Sequence, residues 1–222
     1  MTERSKDLRP WGSLNWPNRI SLMRLLLVAP FIVLLMNMND PAWPHARHGA
    51  VLIFLVLVVS DVVDGALARR LNQRTRLGAI LDPLADKTLI ICSVVLLSVP
   101  ESAVPGARVP NWVVVAVVGK DFWTTVGFVV VYLATDRFRV QPTVWGKAST
   151  FAQAVMVLTV LLSPDVNWLI DGAGSLAAAV TQWAVIAICA AAVVSYTKQG
   201  LGFVAASGKP LDENGKPQAK EE

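Results

Sequence analysis

Two short runs carry residues whose types and spacing could do chemistry. Residues 61–69 read Asp-Val-Val-Asp-Gly-Ala-Leu-Ala-Arg, and residues 78–86 read Gly-Ala-Ile-Leu-Asp-Pro-Leu-Ala-Asp. On a helix, Asp61, Asp64, Gly65 and Ala68 share one face through three- and four-residue spacings, and so do Gly78, Asp82 and Asp86. A short basic connection joins the runs, so the two helices are expected to be antiparallel neighbours. Four carboxylates would then converge. Arg69, Arg70 and Lys87 could neutralise part of that charge, but a structural ion-pair cluster has no need of two matched carboxylate pairs. Hard divalent cations do need them, because such metals take oxygen ligands and offset the repulsion.

The elements that must position these acids are set by composition. Of 222 residues, 54% are hydrophobic and 16% are charged, against roughly a quarter charged in ordinary soluble domains. Six apolar segments can be drawn, at 20–38, 49–69, 79–99, 111–134, 144–163 and 176–197. Each approaches the roughly 20 apolar residues that a bilayer-spanning helix requires. None alternates as a barrel strand would. The expected fold is therefore an all-α integral membrane protein with six transmembrane helices in one bundle. A cytosolic, possibly amphipathic segment at 1–19 precedes a catalytic domain at 20–200, and a polar tail expected to be disordered follows at 201–222. The first span is read as retained, since no small-residue cleavage pattern follows it.

Basic residues fix the expected orientation. Arg4, Lys6, Arg9, Arg19 and Arg24 lie at the N-terminus, Arg69, Arg70, Arg74 and Arg76 in the second connection, and Arg137, Arg139 and Lys147 around the fourth. The first and third connections hold only Arg47 and Arg108. Both termini and the acidic site should thus face the cytosol of a multi-pass protein, with a bacterial inner membrane the expected location. A basic face for nucleic acid is not formed, because the cations sit between apolar runs. Cys92 and Cys189 both fall in apolar runs, so neither a disulfide framework nor a zinc spacing is available. His45 and His48 lie in a proline-containing connection and read as solvated loop residues. Most of the eight tryptophans stand near span ends, as interfacial anchors do.

A carboxylate at the centre of a span costs roughly 2.5–3.5 kcal/mol on insertion scales, so four in two adjacent segments demand a function. The run D-x-x-D-G-x-x-A-R-x8-G-x-x-x-D-x-x-x-D, complete from Asp61 to Asp86, resembles the signature of the CDP-alcohol phosphotransferase family. Pro17, Asn18 and Arg24 before it, and Gly146, Lys147, Thr150 and Gln153 after it, agree with that resemblance, which covers roughly residues 14–200. It implies that Asp61, Asp64, Asp82 and Asp86 hold two metal ions, magnesium or manganese. Asp61, Gly65, Ala68, Arg69 and Gly78 would contact the cytidine nucleotide, and Asp86 would be the general base. The implied donor is CDP-diacylglycerol, drawn from membrane lipid, and a homodimer is the implied assembly.

The acceptor alcohol is less sharply marked. Lys120, Arg137, Arg139 and Lys147 could hold an acceptor phosphate. Lys120 stands well inside a span, so it either faces a polar cavity or pairs with the adjacent Asp121 or another carboxylate. Arg137 and Arg139 read equally well as ordinary cytosolic loop cations. The pattern is most similar to the phosphatidylglycerophosphate synthase and cardiolipin synthase branches. Gly119-Lys120-Asp121 departs from the Arg-Glu typical of the first, and Asp121 leans toward the second. Glycerol-3-phosphate is the expected acceptor, with phosphatidylglycerol the alternative. A cation transporter is the competing class, but the acids cluster in one hairpin without a matching second half.

Overall fold

The computed structural model describes the chain over residues 16–71, 76–135 and 143–207. The N-terminal segment, the basic connections with Arg74, Arg137 and Arg139, and the polar tail lie outside the described residues. Within them the regular structure is entirely helical: α1 (Trp16–Met36), α2 (Ala46–Leu71), α3 (Arg76–Ser98), a 3-10 turn (Pro100–Ser102), α4 (Asn111–Thr135), α5 (Val144–Leu169) and α6 (Ala173–Ser207). The chain divides into two compact units, Met1–Leu89 and Ile90–Glu222, with the boundary inside α3.

In the first unit α1 packs on α2. Arg24, Val28, Phe31 and Leu35 form a buried stripe on α1 at helical spacing, and Ala46, Ala50, Phe54 and Leu57 form its counterpart on α2. Phe31 and Phe54 meet with ring centroids 5.8 Å apart. Gly49 lets the helices approach, since a Cβ there would come within 3.2 Å of Leu34 Cδ1. The turn between them is closed locally. Asn37 Nδ2 donates to Val33 O at 2.7 Å, and Ala42 N donates to Asp40 Oδ1 at 2.8 Å, an Asx turn ahead of Pro44.

In the second unit α6 packs against both α4 and α5. Small and hydroxylated residues make the α5–α6 seam, where the Thr159 and Thr181 hydroxyls lie 2.8 Å apart. On α4, Trp112 meets Trp183 in a tilted pair with centroids 4.8 Å apart, and Trp123 Nε1 donates to Thr197 Oγ1 at 3.0 Å. The segment before α4, expected as a plain break, is instead tied down. Ser102 Oγ donates to Leu96 O at 2.6 Å and Arg108 Nε to Ser98 O at 2.8 Å. Those bonds satisfy carbonyls that the end of α3 leaves free, and they bury Val104 and Val109.

Two helices run further than the hydrophobic segments suggest. The fifth was expected to end at Ser163, yet α5 continues through Pro164 to Leu169. Proline removes the N–H that would bond the carbonyl four residues back, but Ser163 Oγ donates to Val160 O at 2.8 Å. The hydroxyl replaces the missing donor, and the helix survives. The sixth, expected over 176–197, extends over Ala173–Ser207. Gly172, at φ 73°, makes the turn, and Asn167 Oδ1 accepts from Gly174 N at 2.7 Å and Ser175 N at 3.2 Å. A side chain of α5 thereby caps the start of α6.

Gly174 belongs to that cap for a second reason: a Cβ there would overlap the Ser163 carbonyl oxygen. Gly174→Ala is expected to destabilise the second unit by about 1–3 kcal/mol. A clear fall in the melting temperature of the detergent-solubilised protein would show it. An unchanged melting temperature would contradict the close packing.

By length and composition, two helices among the described residues can cross a membrane, Val144–Leu169 and Ala173–Gly202; Met23–Met36, Ala46–Ser60 and Lys87–Ser98 are shorter apolar helices. Large apolar side chains point outward on every helix, among them Leu26, Leu52, Val115, Phe122, Phe151 and Trp183. Water-soluble monomers rarely expose apolar surface on this scale.

Candidate active site

The candidate metal ligands sit on the two helices that the spacing predicted. Asp61 and Asp64 lie in the last part of α2, and Asp82 and Asp86 in the first part of α3, all within the first compact unit. Their side chains, like those of Gly65, Ala68, Arg69 and Gly78, lie outside the described residues, so the backbone register carries the information. On α2 the buried stripe of Ala50, Phe54 and Leu57 continues by three- and four-residue steps into positions 61, 64 and 68. On α3 the buried positions Ile90, Ser93 and Leu97 run back by the same steps into positions 86 and 82. Both acidic faces are prolongations of buried faces. A set of four hard oxygen donors at those register positions suits a magnesium- or manganese-type cation.

Arg24 bears on the same place. It is only 3% exposed on α1, and it begins the stripe that packs against α2. Carrying the antiparallel register forward from Phe31 opposite Phe54 puts position 24 level with position 61. Sequence reading had used Arg24 as an orientation marker and as a flank of the signature. Its burial among apolar neighbours was legible only from the spacing of 24, 28, 31 and 35.

A second polar cluster lies in the other unit. Lys120 on α4 is 7% exposed, and its Nζ forms an ion pair with Asp121 Oδ1 at 2.7 Å. The same ammonium donates to Ser149 Oγ on α5 at 3.2 Å. Of the two open readings of Lys120, the pairing with Asp121 is the one observed, inside the second unit. Ser149 is buried and donates to Gly146 O at 2.8 Å. Gly146 N donates in turn to Thr143 Oγ1 at 3.0 Å, the cap of α5. Gly146 lies close under Tyr196, whose ring would have to shift to admit a Cβ there. Gln153, also buried, donates to Cys189 Sγ at 3.4 Å.

Lys147 does not join this group; it is exposed and stands two positions from Ser149, on the other side of α5. Arg137 and Arg139 lie outside the described residues. His48 has its ring nitrogen 3.4 Å from Arg47 Nη2 in the exposed start of α2. Asp121 was expected as a partner of Lys120, whereas Ser149 was missed. No spacing marks Ser149, which is 29 residues from Lys120 and reaches it only through helix packing.

Both runs of the signature are helical, as their spacing predicted, and the whole-chain comparison decides the family. The sequence profile of CDP-alcohol phosphatidyltransferases matches residues 14–196. This chain belongs to that family. It is accordingly an enzyme, and its transferase signature runs from α2 into α3. Among the transferase's relatives, a CDP-diacylglycerol–glycerol-3-phosphate 3-phosphatidyltransferase of Bacillus subtilis is 31% identical over 156 residues, covering 67% of this chain and 77% of the relative. The protein of the same name in Escherichia coli K12 is 33% identical over 186 residues, covering 80% of this chain and 94% of the relative. A probable phosphatidylglycerophosphate synthase of Mycobacterium tuberculosis is 35% identical over 144 residues, covering 64% of each chain.

Proposed function

We propose that this transferase moves a phosphatidyl group from CDP-diacylglycerol to glycerol-3-phosphate, releasing CMP, at the cytosolic surface of a bacterial membrane. The observation that carries the reading is the complete acidic signature lying on the prolonged buried faces of α2 and α3. The names borne by the Bacillus and Escherichia relatives support glycerol-3-phosphate over phosphatidylglycerol. Six spans with cytosolic termini agree with the apolar outward faces of the helices and with the alternation of basic residues along the chain. A homodimer is the assembly in keeping with family membership.

Chemically, the acceptor hydroxyl oxygen attacks the phosphorus bearing diacylglycerol, and the phosphorus–oxygen bond to CMP breaks. The hydroxyl proton passes to Asp86, the general base, because an alcohol is a poor nucleophile at neutral pH. Asp61, Asp64, Asp82 and Asp86 would hold divalent metal ions, which when bound supply charge stabilisation on the phosphoryl oxygens and the departing CMP. Arg69 offers the planar, permanently charged donor suited to nucleotide phosphates. Gly65 and Ala68, one helical step from the acids, leave room for the nucleotide against α2. Arg24, level with Asp61, supplies positive charge beside a crowded set of carboxylates. Lys120, Arg137, Arg139 and Lys147 are the cations we propose for the phosphate of the acceptor.

An acceptor panel tests the assignment. Purified full-length protein is given radiolabelled CDP-diacylglycerol with glycerol-3-phosphate, phosphatidylglycerol, inositol phosphate or serine. Phosphatidylglycerophosphate is expected as the main product, preferred over each alternative by at least roughly a hundredfold in kcat/KM. Cardiolipin as the main product would move the enzyme to the other branch.

A further inference from the structure

We propose that Arg24 is a positioning residue for the metal site, holding the carboxylate of Asp61 in the orientation in which it ligates, an inference that rests on the metal-site reading above. A guanidinium only 3% exposed is costly in an apolar stripe unless a carboxylate stands beside it. Val28, Phe31 and Leu35, its companions on that stripe, offer it no acceptor side chain. The stripe packs on α2 within the first compact unit, and two contacts fix the register there. Phe31 meets Phe54, and Leu34 lies against Gly49. In an antiparallel pair the first contact puts position 24 level with 61, after seven residues and about 10 Å of rise on each helix. The second puts it level with 59. Val59 is exposed, whereas position 61 prolongs the buried stripe of Ala50, Phe54 and Leu57.

The acids available to Arg24 from this helix pair are few. Across α1, α2 and the turn between them the sequence holds Asp40, Asp61 and Asp64. Asp40 is exposed beyond the far end of α1, about three helical turns from Arg24, and its Oδ1 accepts from Ala42 N. Asp64 stands one turn further along α2 than the level of Arg24. Asp61 is the acid that the register brings alongside. A planar guanidinium engages a carboxylate through two parallel N–H donors, which restricts the rotation of the acid before a metal ion arrives. Hydrogen bonds of this kind, one shell out from the metal, orient its ligands. A cation that did no more than neutralise the acids would act in the opposite sense, since its removal would strengthen their attraction for a metal ion.

The test measures Mn2+ binding to purified full-length protein without substrates, from the electron paramagnetic resonance signal of the free ion. It compares Arg24→Gln, Arg24→Lys, Asp61→Asn and the Arg24→Gln/Asp61→Asn double variant. Arg24→Gln is expected to raise the Kd for Mn2+ about tenfold, as the loss of an outer-shell partner does. The rise in melting temperature that Mn2+ gives the unmodified protein should shrink with it. Arg24→Lys keeps the charge but loses the fork, so its binding should also stay weaker; it carries the test if the glutamine variant fails to fold. In the Asp61→Asn background the Arg24 change should add nothing, because Arg24 acts through that carboxylate. Three results would overturn the inference: unchanged Mn2+ affinity beside a lowered metal-free melting temperature, tighter Mn2+ binding, or a full Arg24→Gln effect without the Asp61 charge. Unmodified protein that binds no Mn2+ would overturn the metal reading and this inference together. Normal Mn2+ binding by the unmodified protein and by both Arg24 variants would sink this inference alone.

Discussion

Asp86→Asn is expected to lower the rate of CMP release by roughly 10²–10⁴-fold, the range that a positioned general base contributes. The substitution keeps the size of the side chain and an oxygen at the same place, but it cannot accept the proton of the acceptor hydroxyl. Affinity for the nucleotide should suffer less, because Asp61, Asp64 and Asp82 keep their charges and Arg69 is untouched. Single-turnover CMP release, read beside a direct titration with CDP-diacylglycerol, separates the two effects. Normal turnover by the variant would remove Asp86 from the base role. Equal loss of binding and rate would make it a ligand and nothing more.

Removing divalent metal should have a comparable effect on the whole enzyme. Dialysis against a chelator is expected to reduce CMP release at least about 10³-fold, corresponding to about 4 kcal/mol of transition-state stabilisation, and added magnesium or manganese should restore it. The physical ground is the donor set itself. Four carboxylates at three- and four-residue spacing on α2 and α3, gathered as the proposed site requires, would repel one another unless a cation of higher charge lay among them, and hard oxygen donors select such cations. Asp64→Asn should raise the metal concentration needed for half-activity, since one anionic ligand is lost from the set. Full activity after exhaustive chelation would contradict this reading of the four acids.

The acidic hairpin was legible because its signal is local. Three- and four-residue spacings translate directly into a helix face, and both runs are indeed helical. Helix ends were less legible where a side chain replaces a backbone partner. Pro164 reads as a breaker, and only the Ser163 bond to the Val160 carbonyl explains why α5 passes through it. Asn167 likewise caps α6 from the preceding helix, shortening the connection to residues 170–172. The second polar cluster divides the same way. Lys120 stood out as a cation inside an apolar run, and its neighbour Asp121 was an obvious partner. Ser149 was not, because a lone hydroxyl among small residues carries no signal until α4 and α5 are packed. Arg24 was read for its charge and as a flank of the signature, while its spacing with Val28, Phe31 and Leu35 also places it on the buried stripe.

The account stands most directly on one measurement, the appearance of CMP when purified full-length protein meets CDP-diacylglycerol and glycerol-3-phosphate in detergent micelles with magnesium. The prediction is one CMP formed for each phosphatidylglycerophosphate, with neither product when the metal is withheld. Absence of CMP with every hydroxyl acceptor, together with cation flux through the same protein in proteoliposomes, would contradict it.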